Sequence, residues 1–458
     1  MAFLEWLGNA IWNPWLLGAF LLTGLYFSVR TGFFQLFSCP LWLTTTLGSL
    51  LRPRRREKSK GLTQLQAMAT ALASTIGTGS IAGVAAAIFY GGPGAVFWMW
   101  VSALLGMMTG CVEKILAVRY RERGESGWQG GPMCYMERGL HSRFLAVWFS
   151  ACCLAASLGG GNLVQANSIA AALESSLGWN RVLVGVVLAA LTGTVMAGGV
   201  GRIGKVSEGL VPCMALLFLG GGAVVLAVNA HALPGAFRAI FEGALCPKAA
   251  LGGGMGYTVS SAMRYGVARG VFTNEAGMGS SAIAHAAASV REPGEQGMWG
   301  IFEVFVSTIL VCGVSALVIL TTGVYRPEAA LAAIRAGTVT SEMLGAPLSA
   351  AAFATVLGPA GEALVTACLL LFAFTSLLGW SYFGERSLAC LLGREGFRGA
   401  YRCVFVLAIV AGCVTDVSAV WQLADICNGL MALPNLCAVV LLSPEGLALL
   451  KEWAAGRR

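Results

Sequence analysis

The sequence predicts an all-α integral membrane protein with about 11 transmembrane helices arranged as an inverted repeat. Hydrophobic residues make up 57% of the 458 residues and charged residues only 11%, whereas a soluble domain carries roughly 25% charged residues. Several apolar runs reach the roughly 20 residues that cross a bilayer as a helix, and a helix satisfies its own backbone hydrogen bonds in lipid. Two glycine-broken segments, Gly77–Ile88 and Gly277–Ala288, lie 200 residues apart and indicate the repeat.

The apolar runs predict one transmembrane domain, residues 1–458, with a prefix helix and two groups of five spans. The prefix helix covers residues 12–29, the first repeat residues 62–228 and the second repeat residues 265–442. The individual spans are predicted at Trp12–Val29, Leu62–Tyr90, Ala95–Val118, Phe144–Leu173, Val182–Ala197, Ser207–Val228, Tyr265–Ser289, Gly297–Val324, Gly361–Leu391, Tyr401–Val414 and Val417–Leu442. All of them follow from hydropathy, so their ends are good to a few residues.

The segments between the spans predict the orientation. Most of the 30 Lys and Arg residues fall on one side if the N-terminus is outside, which places the C-terminus in the cytoplasm of a multi-pass cell-membrane protein. The basic cluster Arg52–Lys60 is interpreted as part of this signal. No basic patch with interleaved aromatics stands apart from the span ends, so the net charge of +8 does not indicate nucleic-acid binding. Two long loops are predicted at His231–Arg264 and Tyr325–Ala360, with a short helix in the alanine-rich middle of the second.

The two glycine-broken segments share more than their glycines. Each carries Gly-x-Gly-Ser, and each is followed at the same offset by Pro-Gly. They belong to spans that are five apart, so they cross the bilayer in opposite directions and the repeat is inverted. Breaking a helix frees N–H groups that suit a carboxylate and C=O groups that suit Na⁺ or an ammonium. The breaks therefore predict a site for a zwitterion, while a plain small-residue helix contact is the alternative reading.

Six blocks of the sequence resemble the alanine or glycine:cation symporter family, also known as sodium:alanine symporters. The blocks are Gly91–Gly106, Gly131–Met133, Gly161–Asn167, Arg269–Gly277, Ala284–Ala288 and Met431–Asn435. The resemblance covers almost the whole chain. It implies a LeuT-like fold in which the first and sixth core helices are broken, and transport of small amino acids with Na⁺.

The resemblance also implies a set of site residues. In LeuT-like folds the first break binds the substrate carboxylate, here at Thr78, Gly79 and Ser80. The coupling Na⁺ is expected between the carbonyls of Ala73 and Ile76 and the hydroxyls of Thr375 and Ser376. Other expected substrate contacts are Asn162 and Gln165, three apart on one helix face. The second break is expected to contribute Phe272, Thr273 and Gly277, whose carbonyls would hold the ammonium, and Trp380 is expected to wall the pocket.

The chain departs from the family pattern at a few of these positions. Ser80 stands where relatives usually carry a longer Asn or Gln, and Ala282 stands where relatives often have Pro. The first difference bears on substrate choice, and the second predicts a less kinked second break. Cys134 replaces a common Tyr.

Ionisable residues inside predicted spans are functional candidates. Glu275 abuts the second break and is a candidate for ion or proton coupling, with a gate or helix-cap role as the alternative. Glu303, Asp425 and Asn428 are interpreted as a structural hydrogen-bond network, and His285 as a neutral hydrogen-bonded residue rather than a proton relay. The motif Gly199–Gly204 matches the dinucleotide fingerprint GxGxxG, but it is placed in a short loop without a βαβ unit and is rejected.

The predicted function is symport of a small neutral amino acid, alanine or glycine, with Na⁺ by alternating access in a lipid bilayer. No other cofactor is predicted, and the sequence leaves the oligomeric state open. Proton-coupled transport of a related zwitterion through Glu275 is the first alternative. A membrane-embedded enzyme is the second, and the lack of GxSxG and of a metal-binding cluster in the sequence argues against it.

Overall fold

The chain folds into a bundle of helices with one short hairpin. A computed structural model describes residues 2–50, 61–124, 127–245, 258–340, 343–394 and 396–457. The basic cluster Arg52–Lys60 lies outside the described residues. Among those described, two strands, β1 (Glu122–Gly124) and β2 (Gly127–Gln129), pair antiparallel. They lie between the helices Gly94–Arg119 and Pro132–Arg138.

The helices of the described residues are grouped by their position in the first or the second half of the chain. Those of the first half are α1 (Ala2–Ile11), α2 (Pro14–Arg30), α3 (Phe34–Phe37), α4 (Cys39–Leu50), α5 (Gln64–Thr75), α6 (Ala82–Gly91), α7 (Gly94–Arg119), α8 (Pro132–Arg138), α9 (Arg143–Leu158), α10 (Val164–Leu177), α11 (Arg181–Ala197), α12 (Gly199–Val228) and α13 (Leu233–Leu245). Those of the second half are α14 (Val259–Asn274), α15 (Ser280–Ala286), α16 (Pro293–Val304), α17 (Gly313–Thr321), α18 (Pro327–Ala336), α19 (Gly345–Leu357), α20 (Pro359–Leu392), α21 (Arg398–Val414), α22 (Ser418–Leu441) and α23 (Ser443–Ala455). Wider π turns join α9 to α10 at Gly159–Leu163 and α16 to α17 at Phe305–Cys312.

All 11 predicted spans correspond to helices in the described part of the chain. Within the described residues, six helical stretches are long and apolar enough to cross a membrane. The other five predicted spans correspond to shorter helices, of two kinds. Helices α2, α11 and α21 have 17 residues each, and the other two spans are interrupted: α5 and α6 form the first broken helix, and α14 and α15 form the second.

Three predictions about connecting segments are wrong. The predicted loop Tyr325–Ala360, with one short helix in its middle, contains two helices, α18 and α19. The predicted loop His231–Arg264 contains α13, because Ala236, Ile240 and Ala244 recur every four residues and form a buried face. Interspersed charged residues kept that stretch from registering as apolar. The motif Gly199–Gly204 forms the first turns of α12 rather than a loop. Its last glycine is needed for packing, since a Cβ there would lie 2.7 Å from a methyl group of Leu62.

Helix α7 is the centre of the bundle and packs against α2, α14 and α16. Glycines allow this close approach, as is usual between helices in membranes. A Cβ on Gly300 of α16 would lie 2.7 Å from the carbonyl oxygen of Gly110 in α7, and one on Gly270 of α14 would lie 2.0 Å from Oγ of Ser102. The tight packing of α7 against α14 and α16 fixes the second broken helix beside it.

Candidate functional site

The first break is an extended residue followed by a single 3₁₀ turn. Helix α5 ends at Thr75, Gly77 is extended with φ −107° and ψ −159°, and Thr78–Ser80 form the turn before α6 begins. A Cβ on Gly77 would lie 2.8 Å from Oγ of Ser376. A side chain at Gly77 would therefore collide with the Ser376 hydroxyl of α20. In the turn, the N–H of Ser80 donates to the carbonyl of Gly77 at 3.1 Å, whereas the N–H groups of Thr78 and Gly79 have no backbone partner among the described residues.

The second break is built from left-handed residues. Helix α14 ends at Asn274, and then Glu275, Gly277 and Gly279 have φ of +52°, +92° and +84°. Glycine adopts this region without steric cost, whereas Glu275, which has a side chain, adopts it with backbone strain. This backbone turns sharply although Ala282 stands where relatives often have Pro. The left-handed residues supply the turn instead.

Side chains from α7 and α22 hold the second break in place. The N–H of Gly277 donates to Oε1 of Glu113 at 3.0 Å, and the carbonyl of Gly277 accepts from Nδ2 of Asn435 at 2.8 Å. Nδ2 of Asn435 also donates to Oε1 of Glu113, and Tyr135 donates to Oδ1 of Asn435. Both backbone groups of Gly277 are thus satisfied by the protein itself.

A small cavity lies where the two breaks meet. The space that the centre of a water-sized sphere can enter is about 40 Å³, which holds a few waters or one small solute. Seventeen residues line it: Ser74, Thr75, Gly77, Thr78, Gly79, Gly160, Val164, Gln165, Phe272, Thr273, Glu275, Met278, Trp380, Trp421, Ala424, Asp425 and Asn428. Two of these residues are carboxylic acids and none is basic, so the cavity attracts cationic groups.

Six of the nine predicted substrate-binding residues line this cavity, namely Thr78, Gly79, Gln165, Phe272, Thr273 and Trp380. The other three lie elsewhere. Ser80 is fully buried behind the break, and its Oγ has no hydrogen-bond partner among the described residues. The carbonyl of Gly277, expected to hold an ammonium, instead accepts the hydrogen bond from Asn435.

Asn162 is the third predicted residue outside the cavity lining. Its Nδ2 donates to the carbonyl of Phe405 at 2.7 Å and so ties this segment to α21. The reason is the π turn Gly159–Leu163, which is wider than an α-helical turn. Two residues three apart no longer share one face across such a turn, so Gln165 faces the cavity while Asn162 does not.

The four predicted Na⁺ ligands are only partly brought together. Oγ of Ser376 lies 3.0 Å from the carbonyl oxygen of Ala73 and donates to it. Ile76 follows one residue beyond the end of α5. Oγ1 of Thr375 donates to the carbonyl of Phe372 at 3.0 Å and lies 3.5 Å from Sδ of Met214 in α12. Ser376 and Ala73 are therefore in contact, whereas the hydroxyl of Thr375 is hydrogen-bonded within its own helix.

Asp425 and Asn428 of α22 are among the cavity residues that the sequence did not assign to the substrate site. They were interpreted as a structural hydrogen-bond network, but Oδ1 of each is buried without a hydrogen-bond partner among the described residues. The signal was present in the sequence, because two polar residues three apart share one face of an apolar helix. The backbone of this turn is held by Trp12, whose Nε1 donates to the carbonyl of Asp425 at 2.8 Å.

A separate cluster of buried charges lies beside the second break. Nζ of Lys114 is 3.5 Å from Glu113 and 3.4 Å from Glu303. Nε2 of His285 is 3.1 Å from Oε2 of Glu303, and its Nδ1 is 2.6 Å from Nε2 of Gln296. Glu303 and His285 are therefore part of a buried polar network.

A second cavity adjoins the first near the N-terminal helix. It is lined by Leu4, Gly8, Trp12, Arg264, Tyr265, Ala268, Arg269, Phe272, Gln422 and Asp425. Phe272 and Asp425 line both cavities and form the partition between them. The guanidinium of Arg269 lies over the ring of Phe272, 5.8 Å from its centroid.

The start of α5 and the end of α15 are joined by backbone hydrogen bonds. The N–H of Leu62 donates to the carbonyl of Ala287 at 3.1 Å, and the N–H of Ser289 donates to the carbonyl of Leu62 at 2.7 Å. Arg121 donates to the carbonyl of Val290 at 2.6 Å, and its guanidinium lies 4.2 Å from the ring centroid of Trp128. Burial lowers the pKa of Arg121 to about 10, so it remains charged at neutral pH. The two broken helices are thus clamped together at this end.

Two broken helices around one small cavity define a transporter of the LeuT-like fold. The structure of MhsT in complex with L-phenylalanine matches with a TM-score of 0.58 and 13% identity, over 86% of this chain and 93% of that one. At this identity the match shows the fold alone.

The family follows from the sequence. A model described as "Sodium:alanine symporter family" matches residues 1–458. "Sodium/alanine symporter AgcS" of Methanococcus maripaludis is 40% identical over 439 residues, 94% of this chain and 92% of the relative. "Probable sodium/glutamine symporter GlnT" of Bacillus subtilis is 35% identical over 454 residues, 98% of this chain and 90% of the relative. The chain belongs to the sodium:alanine symporter family and is a multi-pass, sodium-coupled amino-acid symporter.

Proposed function

We propose that the protein imports a small neutral amino acid, alanine or glycine first, together with Na⁺ by alternating access. The observation that carries this proposal is the enclosed cavity at the meeting of the two breaks, with Ser376 and the Ala73 carbonyl in contact beside it. Phe272 and Trp380 line the cavity and leave little room. A small side chain is therefore favoured over a bulky one.

The first break supplies the polar groups for substrate and ion. The amides of the turn at Thr78 and Gly79 suit the substrate carboxylate, because free N–H groups at a helix start favour an anion. The carbonyl of Ala73 and the hydroxyl of Ser376 suit Na⁺, with Ile76 and Thr375 as the further proposed ligands. All four offer neutral oxygens, which suits a fixed cation better than a proton.

Two closures around the cavity support the proposed alternating access. At one end the pairing of Leu62 with Ala287 and Ser289 closes the broken helices, and at the other end Phe272 separates the cavity from the adjoining one. Opening either end alone exposes the site to one side of the membrane. We propose that the N-terminus is outside and the C-terminus is in the cytoplasm, following the distribution of basic residues.

The ion gradient is sufficient for accumulation. One Na⁺ moving through about 100 mV supplies about 2.3 kcal/mol, and a tenfold concentration gradient adds about 1.4 kcal/mol. Together they support accumulation on the order of several hundred-fold.

The direct test is uptake of radiolabelled alanine into proteoliposomes with an inward Na⁺ gradient, compared with K⁺ at equal ionic strength. We expect uptake with Na⁺ only. Uptake that is indifferent to Na⁺ would exclude the proposed coupling.

Proton coupling is the second candidate, and the position of Glu275 favours it. Glu275 lines the cavity, is 4% exposed and accepts a hydrogen bond from Ser280. Uptake by Glu275→Gln under a Na⁺ gradient separates the two readings. If the variant keeps Na⁺-driven uptake, Glu275 is not an obligatory proton carrier. If the variant loses an uptake that a pH gradient alone drives in the unmodified protein, proton coupling through Glu275 is supported.

A further inference from the structure

Three side-chain oxygens around the cavity have no hydrogen-bond partner among the described residues. They are Oε1 of Gln165, Oδ1 of Asp425 and Oδ1 of Asn428. All three atoms are buried, and the residues of Gln165 and Asn428 are 9% and 4% exposed. A buried acceptor without a donor is costly, so three of them around one cavity indicate a ligand that brings hydrogen-bond donors.

These residues come from two helices that are in direct contact. A Cβ on Gly160, which precedes α10, would lie 3.1 Å from Cβ of Ala424 in α22. Nε2 of Gln165 donates to the carbonyl of Gly160 at 3.1 Å and leaves Oε1 free. Asp425 directly follows Ala424, and Asn428 lies one turn further on. The residues that carry the three oxygens therefore stand on neighbouring elements of the cavity lining.

The charge of the cavity narrows the choice of donor. Its lining holds the carboxylates of Asp425 and Glu275 and no basic side chain. Glu275 already accepts a hydrogen bond from Ser280, whereas Asp425 makes no ion pair within 4 Å with the described residues. Two cations, Arg264 and Arg269, line the adjoining cavity with Asp425, and the guanidinium of Arg269 lies over Phe272. A ligand that is both a donor and a cation satisfies the lining, and an ammonium group has three donors and one charge.

In the second break, Gly277 is not available for this function. The carbonyl of Gly277, which was expected to hold an ammonium, is occupied by Asn435. We propose that Gln165, Asp425 and Asn428 form an ammonium subsite for the amino group of the transported substrate. This inference rests on the proposed function and adds that α22 determines specificity for an amine.

The test compares two ligands that differ only in the group bound by the subsite. L-Alanine carries an ammonium, and L-lactate carries a hydroxyl in its place. Binding of each to the purified protein in saturating Na⁺ is measured by calorimetry, with lactate also measured as a competitor of alanine. The variants are Asp425→Asn, which removes the charge, and Asn428→Leu, which removes the acceptor. Leu423→Ala, on the same helix with a side chain 50% exposed, is the control.

Loss of one hydrogen bond to a charged group predicts a rise in the alanine Kd of about 10-fold to 150-fold in either variant. The lactate constant changes much less, so discrimination between the two ligands falls, and the control binds as the unmodified protein does. Elution on a sizing column and the shift in unfolding temperature on adding Na⁺ identify a variant that has not folded. If one variant does not fold, the other decides.

Three outcomes overturn the inference. Alanine affinity unchanged in a folded variant shows that the ammonium is held elsewhere. Equal loss of alanine and lactate affinity shows a merely structural role, and a changed Na⁺ dependence with unchanged discrimination shows that the oxygens bind a second Na⁺. Failure of the unmodified protein to bind any small neutral amino acid with Na⁺ is a different result, because it overturns the proposed function itself.

Discussion

Replacing Lys114 with Met is expected to destabilise the protein strongly. The ammonium of Lys114 is completely buried, 3.5 Å from Glu113 and 3.4 Å from Glu303, both also completely buried. These distances exceed those of good hydrogen bonds, so the attraction is mainly electrostatic. At an effective dielectric constant of about 20, each contact contributes roughly 5 kcal/mol before desolvation is counted.

The net effect is smaller because the ammonium also loses its hydration. Removing one partner of a buried ion pair typically costs about 3–5 kcal/mol, since the other charge remains buried. For Lys114 the remaining charges are two carboxylates, so we expect the upper part of this range. For a chain of 458 residues the unfolding entropy is about 1 kcal/mol per K, so this corresponds to a fall in the apparent unfolding temperature of about 4–5 °C.

The assay is thermal unfolding of the detergent-purified protein at one fixed scan rate, because unfolding of such proteins is usually irreversible. Lys451→Met removes an exposed lysine and is the matched control. Adding Glu303→Gln to Lys114→Met removes one of the stranded carboxylates, and we expect it to recover at least half of the loss. An unfolding temperature for Lys114→Met within about 1 °C of the unmodified protein would refute the electrostatic reasoning.

The remaining predictions concern the ion site and the cavity wall. Ser376→Ala is expected to raise the Na⁺ concentration for half-maximal alanine uptake about tenfold, while Ser381→Ala on the same helix leaves it unchanged; equal curves for both would remove Ser376 from the ion site. Gly161→Ala places a Cβ 2.4 Å from Cβ of Trp380. We expect this overpacking to cost about 1–3 kcal/mol and to reduce uptake at least tenfold in proteoliposomes. Gly18→Ala, with nothing within 4 Å, is its control.

The spans were predictable because lipid allows few alternatives. A long apolar run that crosses a bilayer must be helical, so hydropathy located most span ends to within a few residues. The starts of α12 and α14, at Gly199 and Val259, lie further from the predicted Ser207 and Tyr265 because polar and charged residues open these helices. Helix α13 was not predicted because its apolar residues form only a narrow face. Its neighbours along the chain include charged residues, and a narrow face among charges does not read as a membrane span.

The site was predicted less completely, and the reasons are local. Asn162 was predicted to share a helix face with Gln165, because spacing alone does not reveal the π turn Gly159–Leu163 in which Asn162 lies. Asp425 and Asn428 were read as structural because sequence shows which residues share a face but not whether their oxygens find donors. The contact between Ser376 and Ala73, by contrast, depends on which helices pack together, and the fold determines that packing. Backbone topology transferred well from the resemblance, while side-chain hydrogen bonding did not.

The two Gly-x-Gly-Ser segments break their helices by different means. In the first, Gly77 is extended and glycine is needed because Ser376 approaches to within 2.8 Å of where a Cβ would stand. In the second, Gly277 and Gly279 are left-handed, and glycine is needed because other residues rarely adopt that backbone. We therefore propose that the N–H groups of Thr78 and Gly79 in the first break bind the substrate, whereas the backbone of Gly277 in the second is engaged by Glu113 and Asn435. The sequence repeat preserves the interruption of the helix, and the neighbouring helices decide which break has backbone groups left for the substrate.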